Sequence, residues 1–200
     1  MRLRLFDEIE ARLSRVRLVD NKVIYYRPKR GDNGKMPGVP AINHVGLWNE
    51  NTTRLTQMRP LNPPAVFVEF FPATWSQLGR NVIHADVTVR LHIVTATLAA
   101  TDTPWRDEAL ARFRLIRAVK AAFVRFSGAV DKEGRSFSAF QYLENITDHN
   151  HEQVCEDLEG WRTHCIDASA AVDDGTVMTS TNVTFDNGDV FADQFGEEHV

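Results

Sequence analysis

The sequence predicts an α+β fold, in which a small, mostly antiparallel sheet is backed by an N-terminal helix and one long core helix, with a C-terminal β-hairpin appendage. Two patterns carry this prediction. Apolar and polar residues alternate over positions 83–93, which is typical of a strand covered on one face. Apolar residues recur every three or four positions over 110–126, which is typical of a helix with one buried stripe.

Composition narrows the range of functions. A chain of 200 residues predicts one domain, and its formal net charge of −4 does not favour a protein whose main task is to grip nucleic acid. No apolar run reaches the roughly 18–20 residues of a membrane span, and acids stand where a secretory signal would be apolar, so we expect a cytoplasmic start. The chain has two cysteines, Cys155 and Cys165, which are too few to stabilise a domain of this size through disulfide bonds.

The first predicted elements are a helix and a strand. In residues 1–18 an apolar stripe is interleaved with charges, which predicts an amphipathic helix. The stripe consists of Leu5, Phe6, Ile9, Leu13 and Val16. After the turn pair Asp20 and Asn21, the β-branched and aromatic segment 23–26 predicts a short strand.

A long loop is predicted over residues 27–64. Six of the eight prolines fall there, so a strand is expected only over 42–48. Basic residues outnumber acids in this loop and include Arg27, Lys29 and Arg30. A loop of this length in a compact domain is usually functional or disordered.

Two strands are predicted next. Segment 66–71 is apolar apart from Glu69 and predicts a strand that is buried on both faces. The alternating strand 83–93 follows it. The polar face of that strand holds His84, Asp86, Thr88, Arg90 and His92.

The core helix is predicted to begin at Thr103 and Pro104, which suit the N-cap and the first helical position, and to close at Gly128. Its buried stripe is predicted to be Leu110, Phe113, Ile116, Val119, Phe123 and Phe126. Segments 137–146 and 154–169 are two further predicted strands.

The end of the chain is acidic and has no Lys or Arg after Arg162. The triplet Asp186, Asn187 and Gly188 lies between segments that suit strands, which is the strongest short signal for a hairpin. We therefore predict an acidic β-hairpin arm over 172–200, appended to a domain over 1–171.

No catalytic residue, cofactor or metal site is predicted. The adjacent His149, Asn150 and His151 do not have the spacing of a nuclease motif. Four scattered soft ligands lack the paired spacing of a zinc site, namely His151, Cys155, His164 and Cys165. Glu69 allows two interpretations, a buried general base or a partner of Arg90 or another arginine across the sheet, and the pairing is favoured because no Ser, Cys or His motif accompanies Glu69.

The order of predicted elements and four short strings resemble the phage tail terminator (tail completion) family. The strings are LWNEN at 47–51, PAVFVEF at 64–70, WSQLG at 75–79 and ADVTVRLHIV at 85–94. They look like the tail proteins encoded in prophages of Bacteroidetes-type bacteria. The resemblance spans about residues 3–166, has no catalytic signature, and leaves out the acidic hairpin, which departs from the shorter family pattern.

The resemblance implies a structural virion protein that is not an enzyme and uses no cofactor. Such a protein forms a homohexameric ring that caps the major tail tube protein and docks the head–tail connector or stopper, with DNA only passing through and no membrane contact. It would reside in the virion tail or neck, and in the host cytoplasm during assembly. The residues expected at the assembly interface are Glu69, Asp86, Arg90, Arg27, Lys29, Arg30, Phe185 and Phe191. The alternatives are another neck or tail subunit, such as a head-closure or tube protein, or a metal- or nucleic-acid-binding enzyme.

Overall fold

The computed structural model describes residues 1–29, 34–49, 62–79, 81–96, 105–148 and 154–172. In chain order, these ranges contain α1 (Arg2–Leu13), β1 (Val16–Val19), β2 (Lys22–Tyr25), β3 (Val39–Pro40), β4 (His44–Leu47), β5 (Ala65–Phe70), β6 (Ser76–Gly79), β7 (Val82–Ala96), α2 (Trp105–Phe123), β8 (Arg135–Phe137), β9 (Gln141–Asp148), β10 (Val154–Asp167) and α3 (Ser169–Val172).

Seven strands form the main sheet, in the order β4-β5-β7-β10-β8, with β6 paired to β7 and β9 paired to β10. The long strands β7 and β10 form its centre and run antiparallel, from Ala96 opposite Val154 to Ile83 opposite Asp167. β4 runs parallel to β5, whereas the other pairs of this sheet are antiparallel. The sheet is therefore mixed.

A second sheet contains β1 between β2 and β3, all antiparallel. Asp20 and Asn21 form the β1–β2 turn with φ of 47° and 60°, the left-handed conformation that these residue types tolerate. The sequence predicted this turn and the strand after it. It missed β1, because Val16 continues the apolar spacing of α1 and was assigned to the helix.

The predicted fold class is wrong. The chain is mostly β, with a curled seven-stranded mixed sheet and a separate three-stranded sheet in place of a small sheet behind one long core helix. β4 lies within the strand expected over 42–48, whereas β3 and β6 escaped prediction because they contain only two and four residues, too few to show alternation. The predicted hairpin arm lies outside the described residues apart from the end of α3.

One face of the main sheet packs against α1 and α2 to form the core. The predicted alternation is confirmed in β7 by the buried side chains of Ala85, Val87, Val89, Leu91 and Ile93. They share one cluster with helix residues Leu5, Ile9, Leu13, Leu115, Val119 and Phe123.

Two details of the core helix differ from prediction. Phe113 is 60% exposed, because the buried stripe runs through Leu115 and Ala118 instead. The helix ends at Phe123 and Arg125 takes the left-handed conformation, with φ of 59°, where Gly128 was expected to close it. None of the helices in the described ranges has the length and apolar character of a membrane span.

Candidate functional site

Charged side chains line the face of the main sheet that α1 and α2 do not cover. His92 and Arg90 project from β7 on this face, opposite the covered-face residues Leu91 and Ile93. The register places Glu69 of β5 directly opposite Arg90. Side chains from these two neighbouring strands therefore meet here.

His92 lies between two carboxylates. Its Nε2 is 3.1 Å from Glu69 Oε2, and its Nδ1 contacts Glu156 Oε1 of β10. His92 is only 4% exposed and Glu156 is equally buried. Each nitrogen of the ring thus faces a carboxylate oxygen with little access for water.

Trp48 covers the imidazole. The residue directly follows β4, and its ring stacks on His92 with a centroid distance of 3.7 Å and an interplanar angle of 8°. Its edge also meets Phe67 at 6.2 Å. A small second core seals this end of the sheet, formed by Ala65, Phe67, Val94 and Val154 with Trp48 packed against it.

Arg90 extends this arrangement toward β9. Its Nη1 lies 3.6 Å from Glu69 Oε2, its Nη2 lies 3.3 Å from Glu144 Oε1, and its guanidinium lies 4.5 Å from the centroid of the Phe71 ring. The favoured pairing of Glu69 with Arg90 is confirmed. Alternating acids and bases thus link β9, β7, β5 and β10, and we call them the charged network: Glu144, Arg90, Glu69, His92 and Glu156.

Asp86 lies outside the charged network. Its Oδ1 is 2.9 Å from Nδ1 of His164 on β10, and the rings of His84 and His164 lie 5.2 Å apart. The sequence grouped Asp86 with His84 and His92 along one strand. It missed His164, because only the pairing of β7 with β10 brings that residue opposite Asp86.

The other expected interface residues are scattered. Arg27 is exposed and lies 5.9 Å from the centroid of the Tyr25 ring, and Lys29 is also exposed. Arg30, Phe185 and Phe191 lie outside the described residues. The described part of the structure therefore brings together Glu69 and Arg90 alone among these residues.

Two buried acids on the helix-covered face were not predicted. Asp157 is bound by Arg112 of α2, and these hydrogen bonds raise the pKa of the guanidinium. Glu159 is fully buried, and its burial raises the pKa of the carboxyl although Lys120 Nζ lies 3.3 Å from Oε1. The sequence signal was available: Asp157 and Glu159 lie at alternate positions of a predicted strand and so on one face, while basic residues occur along α2.

Metal-ligand and thiol side chains occur at several places among the described residues. No group of three or more His, Cys, Asp or Glu side chains among them is arranged to hold a metal ion. Burial raises the pKa of the Cys165 thiol to about 12, so this cysteine is not a nucleophile near neutral pH. Cys155 accepts a hydrogen bond from Arg112 Nη1 at 3.5 Å.

β4 and β9 lie at opposite sides of the main sheet. Within the described ranges β4 pairs only with β5, and β9 pairs only with β10. Every residue from 141 to 147 on β9 is exposed, and Ile146 is 47% exposed. On β4, Leu47 is 57% exposed.

Comparisons with known proteins give no match, since no family model fits the sequence and no curated protein is similar to it. The resemblance to tail terminators therefore stays a prediction that is based on the four strings. The described residues of these strings lie at the end of β4 and on β5, β6 and β7, so they cover one contiguous half of the main sheet.

Proposed function

We propose that the chain is a structural subunit that assembles into a ring and caps a phage tail tube, as the resemblance to the tail terminator family implies. The observation that carries this proposal is that β4 and β9, on opposite sides of one sheet, are open edges as far as the described residues go, each paired on one side alone. Contacts between two different surfaces of identical subunits run head to tail, and they close into a ring when the rotation divides the circle.

The open edges supply the bonds for such a contact. An edge strand carries a row of backbone N–H and C=O groups that another strand can pair with. Both edges also carry apolar side chains in contact with water, Leu47 on β4 and Ile146 on β9. Pairing β9 of one copy with β4 of the next would bury these side chains and extend the sheet from subunit to subunit.

The charged network supports this arrangement from within each subunit. Arg90 and Glu69 bind each other, and Arg90 also binds Glu144 of β9. In the proposal these residues brace the edge strands instead of reaching the neighbouring subunit. The network thereby keeps β9 and the β4–β5 pair in fixed positions, which a closed ring with one angle between subunits requires.

The test for the ring uses two edge variants of the full chain, Leu47→Lys and Ile146→Lys, examined by native mass spectrometry and electron microscopy. Wild-type chain is expected to give closed rings, with six copies as the implied number. Each single variant is expected to stay monomeric, because a buried lysine would oppose pairing. Leu3→Lys is the matched control, since Leu3 is 72% exposed on α1.

Mixing the two edge variants separates head-to-tail pairing from other contacts. Each variant keeps one intact edge, so an equimolar mixture is expected to give dimers of one copy of each variant and no rings. Rings that form equally well from both variants would contradict the proposal.

The position in the virion needs a separate experiment. When the chain is produced together with the tail tube protein of the same phage genome, the ring is expected at one end of each tube. Incorporation along the whole tube would identify a tube subunit instead. Binding to the connector without binding to the tube would identify a head-closure protein.

A further inference from the structure

The outer surface of α2 is basic. Between positions 109 and 126 the chain has five basic residues and no acid. Two of them, Arg112 and Lys120, reach the buried acids Asp157 and Glu159 of β10. The other three are exposed, and within the described ranges none of them has a hydrogen-bond or ion-pair partner: Arg114, Arg117 and Arg125.

Two apolar side chains lie among these arginines. Phe113 is 60% exposed and Val124 is 50% exposed. Positions 113, 117 and 124 share one strip of the helix surface, because they are separated by four and seven residues. Val124 still belongs to this strip, since its N–H donates to Lys120 O at 3.2 Å. We call this surface the basic stripe, and it consists of Phe113, Arg114, Arg117, Val124 and Arg125.

The acidic arm predicted over 172–200 has the complementary composition. It contains seven acids and no Lys or Arg, whereas residues 1–171 contain 23 basic and 20 acidic residues. The negative net charge of the chain therefore comes from the arm. The arm also has apolar residues between its acids, namely Val177, Val183, Phe185, Val190, Phe191 and Phe195.

The arm starts near one end of the basic stripe. Asp167, at the end of β10, pairs with Arg135 of β8, and Phe137 of β8 packs against Phe126 with ring centroids 5.3 Å apart. Phe126 directly follows Arg125, the last residue of the stripe. The stripe is about 16 Å long from position 113 to position 124. A hairpin made of the 29 residues of the arm would extend about 45 Å, so the arm can reach the whole stripe.

The three-stranded sheet is the other basic region, and its arginines already have contacts. The guanidinium of Arg17 donates to Pro37 O at 3.1 Å and to Gly38 O at 2.8 Å. Arg27 lies over the ring of Tyr25. The arginines of the basic stripe have no such contacts in the described part of the chain, so the stripe is the better match for the arm.

We propose that the acidic arm binds the basic stripe of α2 in the same chain. Carboxylates of the arm pair with the three arginines, and its apolar side chains cover Phe113 and Val124. Exposed ion pairs are weak one by one, so the burial of these apolar side chains supplies the rest of the attraction. The proposal concerns the single chain and holds whether or not the chain forms a ring.

Zero-length cross-linking of the full chain tests this proposal. Arg117→Lys places an amine on the basic stripe, and a carbodiimide joins an amine to a nearby carboxylate as an amide. Peptide mass spectrometry is expected to find this amine linked to acids of the arm. Arg162→Lys is the matched control, because Arg162 is exposed on the other face of the main sheet, and its yield of links to the arm is expected to be several-fold lower.

Isotope labelling separates binding within one chain from binding between copies. In a mixture of chains with natural nitrogen and chains with nitrogen-15, the linked peptides are expected to carry the same isotope on both sides. Pairs with mixed isotopes would assign the arm to a second copy and overturn the proposal. Equal yields from the two variants, or links mainly to Lys22, Lys29 and Lys35, would also overturn it.

Hydrogen exchange gives a second readout without a cross-linker. In the full chain, the double substitution Arg114→Glu with Arg117→Glu is expected to speed amide exchange in the arm several-fold, because like charges then face each other. Arg162→Glu is the control and is expected to leave this exchange unchanged. Unchanged exchange in the double variant would contradict the proposal. If the double variant does not fold, the conservative Arg117→Lys cross-linking decides.

Discussion

Arg112 of α2 holds Asp157 of β10 with two parallel hydrogen bonds, from Nε to Oδ2 at 2.5 Å and from Nη2 to Oδ1 at 2.7 Å. Thr147 of β9 donates a third hydrogen bond to the same carboxylate at 2.8 Å. Asp157 is buried, so the guanidinium is the positive charge that makes its ionised form tolerable there. One carboxylate thus joins the helix to two strands of the main sheet.

Arg112→Ala is expected to lower the free energy of unfolding by about 3 to 5 kcal/mol, because it leaves the Asp157 charge buried without a partner. Urea unfolding at neutral pH measures this loss. Arg114→Ala is the control, since Arg114 is exposed on the same helix, and it is expected to cost less than about 0.5 kcal/mol. Equal effects of the two substitutions would show that the Arg112–Asp157 pair contributes nothing specific.

Glu159→Gln is expected to stabilise the protein near neutral pH. Burial raises the pKa of this carboxyl in the folded state despite Lys120, so the folded protein binds the proton more tightly than the unfolded chain does. Wild type therefore loses stability as the pH rises from about 4, where the unfolded carboxyl ionises, through the raised pKa of the folded state. Glutamine carries no such penalty.

Unfolding free energies of wild type and Glu159→Gln, measured from about pH 4 to pH 7, test this expectation. The two free energies of unfolding are expected to be similar at about pH 4. As the pH rises, that of the variant is expected to increase relative to that of wild type. If the free energy of unfolding of the variant falls relative to that of wild type over this range, the attraction of Lys120 outweighs the cost of burial.

Asp131→Asn is expected to destabilise at neutral pH and to have little effect in strong acid. Burial opposes ionisation of Asp131, but hydrogen bonds from the backbone and side chain of Arg135, with Arg4 nearby, lower the pKa of its carboxyl. Its contribution is present above the unfolded pKa of about 3.9 and disappears as the pH falls through the lowered folded value.

The expected loss for Asp131→Asn is about 1 to 3 kcal/mol at neutral pH, measured by denaturant unfolding. Glu133→Gln is a matched control, because Glu133 also binds Arg135 but is largely exposed, and it is expected to cost less than about 1 kcal/mol. A loss for Asp131→Asn that is the same at both ends of the pH range would contradict the role of the charge.

Gly128→Ala is expected to destabilise by about 1 to 3 kcal/mol. A Cβ atom at this position would lie 2.1 Å from Cε1 of Phe137. That ring is buried and packed against Phe126 and Phe140, so it has no space to move into. Gly79→Ala is the control, since nothing lies within 4 Å of its added Cβ. Thermal unfolding of the two variants compares them directly, and similar melting temperatures would refute the close packing.

The parts of the fold that the sequence predicted have strong local periodicity. β7 alternates over its length because one face is covered, and α1 has a single apolar stripe. β6 was not predicted, because four residues carry no periodicity. A strand was expected over 42–48, where β4 lies, but its parallel pairing with β5 was not, because that partner lies elsewhere in the chain. The size of the sheet is set by these non-local pairs, and the predicted fold class was therefore wrong.

The charged network likewise contains one contact that the sequence predicted and one that it could not predict. The pairing of Glu69 with Arg90 followed from the expectation that a charge in an apolar strand needs a cross-strand partner, and it is confirmed. The partnership of His92 with Glu156 could not be predicted, because it depends on the register between β7 and β10. Phe113 was assigned to the core since helical spacing alone does not show which stripe of α2 meets the sheet.

The pairing of β7 with β10 decides when during synthesis this protein can fold. The segment that holds α2, β8 and β9 separates the two strands, so a ribosome releases all of β7 long before β10 emerges. Until then one side of a 15-residue strand with an apolar face has no partner and can serve as a template for other nascent chains. Because of this strand order, the nascent chain is most prone to aggregate while it is still attached to the ribosome. Chaperones that bind emerging chains are therefore expected to determine the yield of this protein in the cell.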